Sequence, residues 1–261
     1  MSVYADLVRY RDLFLNFFQR DLRIRYRGSI LGLGWSLIYP AVLVGVYTLV
    51  FSVLWKVGDI EHYPLFVLSG LVTWIFFQSS LQAASVSLVS HATLIKQVRF
   101  PRQLLALSTV ATSLVTFLAM LVVIVPLNLV FVPETRSTFW LVIPLFVPLV
   151  ALVAGLAVLA ASVNAMLRDF EHLLGALFLP WFFLTPVLYT FDMLPGPSAV
   201  SAIVHWGNFV SPILIAIRDP LFFGEIPSAG DVVYAVAAGA GSLALGAFVF
   251  KRTDDRLAAE L

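Results

Sequence analysis

The chain has 261 residues, 61% of them hydrophobic and 12% charged, with a net charge of +1; that charged fraction is roughly half the value for an ordinary soluble domain. Water is therefore not its main solvent, and the charge balance does not point to nucleic acid. There is no cysteine, which excludes disulfides, thiol catalysis and thiolate metal sites.

Apolar residues come in continuous blocks close to the roughly 20 residues a helix needs to cross a bilayer, not in the roughly 10-residue alternating segments of a membrane barrel. The expected fold is an all-α polytopic membrane protein with six transmembrane helices, an N-terminal amphipathic interface helix, and re-entrant outer helices between the fifth and sixth spans. Residues 1–34 would form the interface helix and linker, 35–250 the six-span domain, and 251–261 a tail.

From Asp6 to Arg27, the residues Leu7, Tyr10, Phe14, Phe17 and Leu22 recur at helical steps, with Arg9, Asp12, Asn16, Arg20, Arg23 and Arg27 on the other face. This is the pattern of a helix lying flat in the membrane interface; a helix packed on another protein domain reads the same way. Its mixed charge is not that of a cleaved signal peptide. The first span is expected over Trp35 to Trp55 and the second over Pro64 to Leu88, joined by a short outer loop. The polar stretch 91–102 reads as a compact cytoplasmic loop. A third span follows over Leu104 to Val132 and a fourth over Thr138 to Leu167, with Pro126, Pro144 and Pro148 as candidate kinks.

Arg168, Asp169, Glu171 and His172 form a tight inner turn before a fifth span, Leu173 to Thr190. The region 191–230 is apolar but broken by Pro195, Pro197, Pro212, Pro220 and Pro227, which suits short re-entrant or interfacial helices. A last span, Val232 to Phe250, is rich in Gly and Ala, as close helix packing requires, and ends at Lys251 and Arg252.

Orientation follows from Lys and Arg. With both termini inside, 13 of the 16 lie on the inner side and only Lys56, Arg136 and Arg218 lie outside. That bias places the termini in the cytoplasm.

Ionisable residues within a span are expensive and mark function, yet every Asp, Glu, Lys and Arg falls at or beyond a predicted span end, so no proton relay or catalytic dyad is expected. His62, His91, His172 and His205 show no metal-ligand spacing. No GxxxxGK[ST] run is present to cradle phosphates, so any ATP must be bound by a partner. Phe100 and Pro101 sit between Arg99 and Arg102. An apolar knob bounded by cations suits a groove on a soluble subunit, although the same cations also simply satisfy topology. Trp35, Tyr39, Tyr47, Trp74, Phe77, Trp181 and Tyr189 would suit a ring-lined saccharide passage; interfacial belts and lipid-facing packing are the alternative.

Four segments carry a resemblance. The run Arg20-Asp21-Leu22-Arg23-Ile24-Arg25-Tyr26-Arg27-Gly28-Ser29-Ile30-Leu31-Gly32-Leu33-Gly34-Trp35 is similar to the opening of polysaccharide and polyol-phosphate export permeases of the type-2 ABC exporter superfamily. Leu68-Ser69-Gly70-Leu71-Val72-Thr73-Trp74, Arg99-Phe100-Pro101-Arg102 and Arg168-Asp169 follow in the same order. The resemblance implies a multi-pass protein of a bacterial or archaeal cytoplasmic membrane. It implies a homodimer with two copies of a separate ABC ATP-binding subunit, which holds the ATP and Mg while this chain carries no cofactor. It makes Lys96, Arg99, Phe100, Pro101 and Arg102 the coupling residues, with Arg168, Asp169 and Glu171 at an inner turn. The cargo implied is a lipid-linked glycan of O-antigen, galactan or teichoic-acid type. Arg20, Arg23, Arg25 and Arg27 would meet its pyrophosphate or, equally, anionic membrane lipid. One departure is Ser211-Pro212 where relatives commonly carry Asn-Pro. Two rival readings are a type-2 exporter of a small hydrophobic compound and a membrane enzyme acting on polyprenyl-linked sugars.

Overall fold

The computed structural model describes residues 5–28, 32–54, 60–98, 100–193 and 198–260. Arg99, the Ser29-Ile30-Leu31 part of the first motif, Trp55, Lys56, Pro195 and Pro197 lie outside the described residues. Helix makes up 87% of the structure, and no strand occurs among the described residues. Backbone polar groups are thus satisfied within each segment, as hydrocarbon demands.

Short α1 (Ala5–Arg9) leads into α2 (Arg11–Tyr26). Then come α3 (Trp35–Tyr47), which runs on through wider π-type turns over Thr48–Leu54, and α4 (Tyr63–Ser90). After α5 (Ala92–Gln97) the long helices α6 (Gln103–Phe131) and α7 (Val142–Met166) form a hairpin, followed by α8 (Phe170–Leu184). Two short helices, α9 (Ser198–Gly207) and α10 (Ser211–Arg218), precede α11 (Ala229–Glu260).

Among the described residues, four helices are long and apolar enough to cross a membrane: α4, α6, α7 with its leading turn from Phe139, and α11 as far as Asp254. The first and fifth expected spans appear as shorter apolar helices, Leu37–Phe51 and Phe170–Leu184. The fifth stops well before Thr190. Its cause is local: Pro186 has no N–H to donate, and it forces the preceding Thr185 to ψ 134°, out of the helical region. By contrast α6 and α7 stay continuous through Pro126 and Pro148. The expected charged tail is also no separate element, since α11 carries Lys251 and Arg252 and remains helical to Glu260.

The core is built around α4, which lies between α6 and α7 and buries Phe66, Phe76 and Phe77. Serine hydroxyls inside these helices, such as Ser69, Ser87 and Ser108, bond back to carbonyls three residues earlier, which keeps them satisfied away from water. The most extensive pairing is α7 with α11. There the backbones nearly touch: a Cβ on Gly155 would fall inside the backbone at Ser242, and one on Gly246 would fall on the Gly155 carbonyl. The Ser242 hydroxyl completes the crossing by donating to Ala151 O at 3.1 Å. Small residues and a hydroxyl are the means by which helices associate where lipid offers no hydrophobic drive.

The apolar face of α2 is turned toward the bundle. Phe17 is buried in the core, and Tyr10, Leu13 and Phe14 pack against it, so that face is spent on α6 and its neighbours.

Candidate functional site

The basic end of the bundle gathers α2, α5, the start of α6 and the last turns of α11. Polar contacts fix α1 and α2 along α6. The Ser108 hydroxyl donates to Asp21 Oδ2 at 2.7 Å, Gln103 Nε2 donates to Asp6 Oδ2 at 2.8 Å, and the Tyr26 and Thr116 hydroxyls are bonded at 3.0 Å. Asp21 also holds Arg20, whose Nη2 lies 2.8 Å from Oδ1 while its guanidinium sits 5.1 Å from the Phe17 ring centre.

The loop 91–102 is braced on two sides. Phe100 turns inward, its ring 5.4 Å from that of Phe17, so it is not the exposed knob expected from the sequence. Arg102 Nη1 donates to Asp254 Oδ1 at 2.9 Å and also to the Asp254 backbone carbonyl, tying the loop to α11. Among the described residues of the loop, Thr93, Lys96, Gln97 and Val98 face outward, Val98 being 52% exposed. Pro101 is half-buried beside them. The inner turn is organised by a residue that sequence reasoning passed over: Asn164 Oδ1 accepts the Glu171 backbone N–H at 2.9 Å, capping α8, while Arg168 and Asp169 stay exposed.

Of the four candidate anion-binding arginines, three meet. Arg20, Arg23 and Arg27 line one cavity of about 870 Å³ together with Asn16, Gln19 and Tyr26. Arg25 does not line it. Steps of three and four residues put Asn16, Gln19, Arg20, Arg23 and Arg27 on one side of α2.

The aromatic candidates divide. Trp74 and Phe77 are 2% and 0% exposed and form a ring cluster with Phe178, Trp181 and Phe182, so these two are core and line no passage in this chain. Edge-to-face packing of this kind favours burial. Trp35 and Tyr39 on α3 are 57% and 60% exposed, and Tyr47 stacks on Phe182 at 5.6 Å. Trp181 Nε1 donates to Asn208 Oδ1 at 2.9 Å, and Asn208 Nδ2 donates to Thr185 Oγ1 at 2.8 Å. The turn before Ser211-Pro212 is thereby held by Asn208, three residues earlier. Tyr189 lies beyond α8 and caps it, its hydroxyl 3.2 Å from the Phe183 carbonyl.

At the opposite end Arg218, expected as an outer loop charge, is only 2% exposed. Its guanidinium lies 4.4 Å from the Phe66 ring centre, and Nη1 donates to Pro186 O at 2.6 Å. Asn128 Nδ2 and the Thr138 hydroxyl donate to the carbonyls of Leu221 and Pro220 at 2.7 and 3.0 Å. Gly224, at φ +70°, passes so close to Glu134 that a Cβ would lie 2.6 Å from its backbone. His205 Nε2 meets Asp231 Oδ1 at 2.5 Å, fastening α9 to the start of α11. Among the described residues, no group of three or more His, Asp or Glu side chains is placed to hold a metal.

Residues 12–222, from the start of α2 to the turn after α10, match the family described as ABC-2 type transporter. The chain belongs to this family. As an ABC-2 chain it is 31% identical over 240 residues to the O-antigen export system permease protein RfbA of Myxococcus xanthus, covering 91% of this chain and 90% of the relative. Two proteins of the same description from Klebsiella pneumoniae are 30% and 29% identical over 82% and 78% of each chain. The ABC-2 match takes in the loop 91–102, the arginine-lined cavity and Arg218, while Asp231 and Asp254 of α11 lie beyond it.

Proposed function

We propose that the chain is the transmembrane subunit of an ATP-driven exporter that moves a lipid-linked polysaccharide of O-antigen, galactan or teichoic-acid type out of the cytoplasm. The observation that carries this reading is likeness over nine-tenths of its length to a permease described as exporting O-antigen. In this reading the basic end faces the cytoplasm of a bacterial or archaeal cell, as the Lys and Arg bias requires. Six helices span, with the shorter α3 and α8 completing the set, and α9 and α10 are re-entrant helices at the outer gate.

Two copies of the chain assemble with two copies of a separate ABC ATP-binding subunit, where ATP and Mg act. Lys96, Arg99, Phe100, Pro101 and Arg102 transmit its closure. Support comes from how the loop is mounted: Phe100 leans on α2 and Arg102 on α11, so a push at Lys96 and Val98 reaches two helices at once. Trp35 and Tyr39, exposed on α3, are the rings best placed to meet a second copy or a passing glycan.

The test is co-purification from native membrane. An ATPase recovered in equal amount, and lost when Lys96→Glu and Val98→Asp are combined, is the expected result, with polymer accumulating inside cells that lack the chain. Unchanged polymer export in those cells would overturn the reading.

A further inference from the structure

Of the two short outer helices, only α10 is part of the core. Its Pro212, Ile213, Leu214, Ala216 and Ile217 are buried, whereas none of residues 201–207 of α9 is fully buried and Ile203 is 70% exposed. Through Ile203, Val204 and Gly207, α9 roofs a cavity of about 340 Å³ whose other wall is Trp181 and Leu184 of α8. A helix with so few buried contacts opens at low cost, so directed bonds hold it down. Every hydrogen bond described between α9 and another element comes from its last turn. The Val204 and Trp206 carbonyls accept from the Ser211 and Tyr234 hydroxyls at 3.3 and 2.7 Å. His205 makes the side-chain bond: a carboxylate only accepts, so Nε2 donates to Asp231 Oδ1 at 2.5 Å. Its ring is held nearly parallel between those of Phe191 and Trp206, with centres 5.0 and 4.3 Å away. Just beyond, the chain turns on Asn208, which is bonded to Trp181 and Thr185 and also accepts the Val210 N–H at 3.2 Å. This makes a fixed pivot beside a single releasable bond.

We propose that α9 is a flap over the α8 cavity, latched through His205 to Asp231, and that α11 links this latch to the loop 91–102, which grips the same helix at Asp254. This rests on the export reading above, in which α9 lies at the outer gate; α10 is then the fixed frame and α9 the moving part. Asp231 suits the fixed half of a latch. It is buried in the first turn of α11, where its N–H donates to Ser228 Oγ at 3.0 Å and the Ser228 hydroxyl donates to Oδ2 at 2.8 Å. The helix cap thus holds one carboxylate oxygen and leaves the other for His205. From Asp231 the helix runs unbroken to Asp254, about 35 Å at 1.5 Å per residue, and its close crossing with α7 at Gly155 stiffens it. Arg102 holds the far end, so a shift of the loop along α11 reaches the residue on which α9 is fastened.

The chain has no cysteine, so single introduced thiols report locally. Val204→Cys, at the cavity, and Ala216→Cys, buried in α10, are each labelled with a water-soluble maleimide in the full chain in nanodiscs. His205→Phe keeps a ring between Phe191 and Trp206 but loses the bond to Asp231. It should speed labelling of Val204→Cys about tenfold or more, as expected for the loss of a hydrogen bond to a charged group, and leave Ala216→Cys slow. His205→Gln, which returns an N–H donor, should undo part of the change. Asp254→Ala should alter the Val204→Cys rate in the latched chain and add nothing beside His205→Phe. An unchanged Val204→Cys rate in His205→Phe overturns the latch, as does labelling of Ala216→Cys alongside it, which would mean unfolding of the whole end. Independent, additive effects of Asp254→Ala and His205→Phe overturn the link along α11. In cells, Leu184→Cys and Ile203→Cys bridged across the cavity by a short cleavable thiol reagent should stop export until the bridge is cut. Export through the bridged chain, where deletion abolishes export, would sink the flap while leaving the export reading intact.

Discussion

Arg102 reaches across 152 residues of sequence to hold Asp254 twice with one nitrogen, once at the carboxylate and once at the backbone carbonyl. The pair is part-exposed, at 21% and 46%, so its direct share of stability is at most about 1 kcal/mol. In the coupling role proposed above, its importance is mechanical. Asp254→Ala should leave the unfolding midpoint almost unchanged while raising the ATP hydrolysed per polymer exported. Exchanging the charges, with Arg102→Asp and Asp254→Arg together, should restore much of the coupling. A large fall in stability in the single variant would contradict this.

The α7–α11 crossing makes a sharper structural prediction. Gly155→Ala inserts a carbon where the Ser242 backbone already lies, so the helices must separate, at about 1–3 kcal/mol or more. Gly241→Ala on α11 meets nothing within 4 Å and should be neutral or stabilising by up to about 1 kcal/mol through helix propensity. Thermal unfolding of the two variants side by side decides it.

Core and passage aromatics should separate in the same way. Trp74→Ala removes a ring that is 2% exposed and should cost about 3–5 kcal/mol. Tyr39→Ala, at 60% exposure, should leave stability alone and lower export. If Tyr39→Ala left export untouched, α3 would not line the path.

For Arg218 the informative change is to lysine. An ammonium keeps the charge but loses the flat face that rests on Phe66 and the fork that reaches Pro186 O. Arg218→Lys should therefore lower the unfolding midpoint nearly as much as Arg218→Ala, and limited proteolysis should cut first in the segment between α8 and α11. Full rescue by lysine would mean that charge alone matters.

Much of this architecture was legible because the bilayer constrains it. The second, third and fourth spans fall within a few residues of α4, α6 and α7, and the proline-broken region does become two short helices. What a span faces was not legible. Trp74 and Tyr39 look alike in sequence because a uniformly apolar helix has almost no moment to show which side is inward. Arg218 reads as a loop charge because its partners, Phe66 and Pro186, come from other elements. Asn128 and Asn164, polar groups inside apolar spans, were the available signals for the outer fastening and the α8 cap. The small residues of α11 announced a close approach, but Gly155 as its counterpart could be known only from the fold.

That counterpart also orders the making of the protein. The contact face around Gly155 on α7 leaves the ribosome well before Gly239, Ser242 and Gly246 of α11 exist. Until then an exposed glycine surface waits in the bilayer, with α8, α9 and α10 still to be threaded past it. Its closure therefore waits on α11, and in the interval that face is open to pairing with the wrong helix.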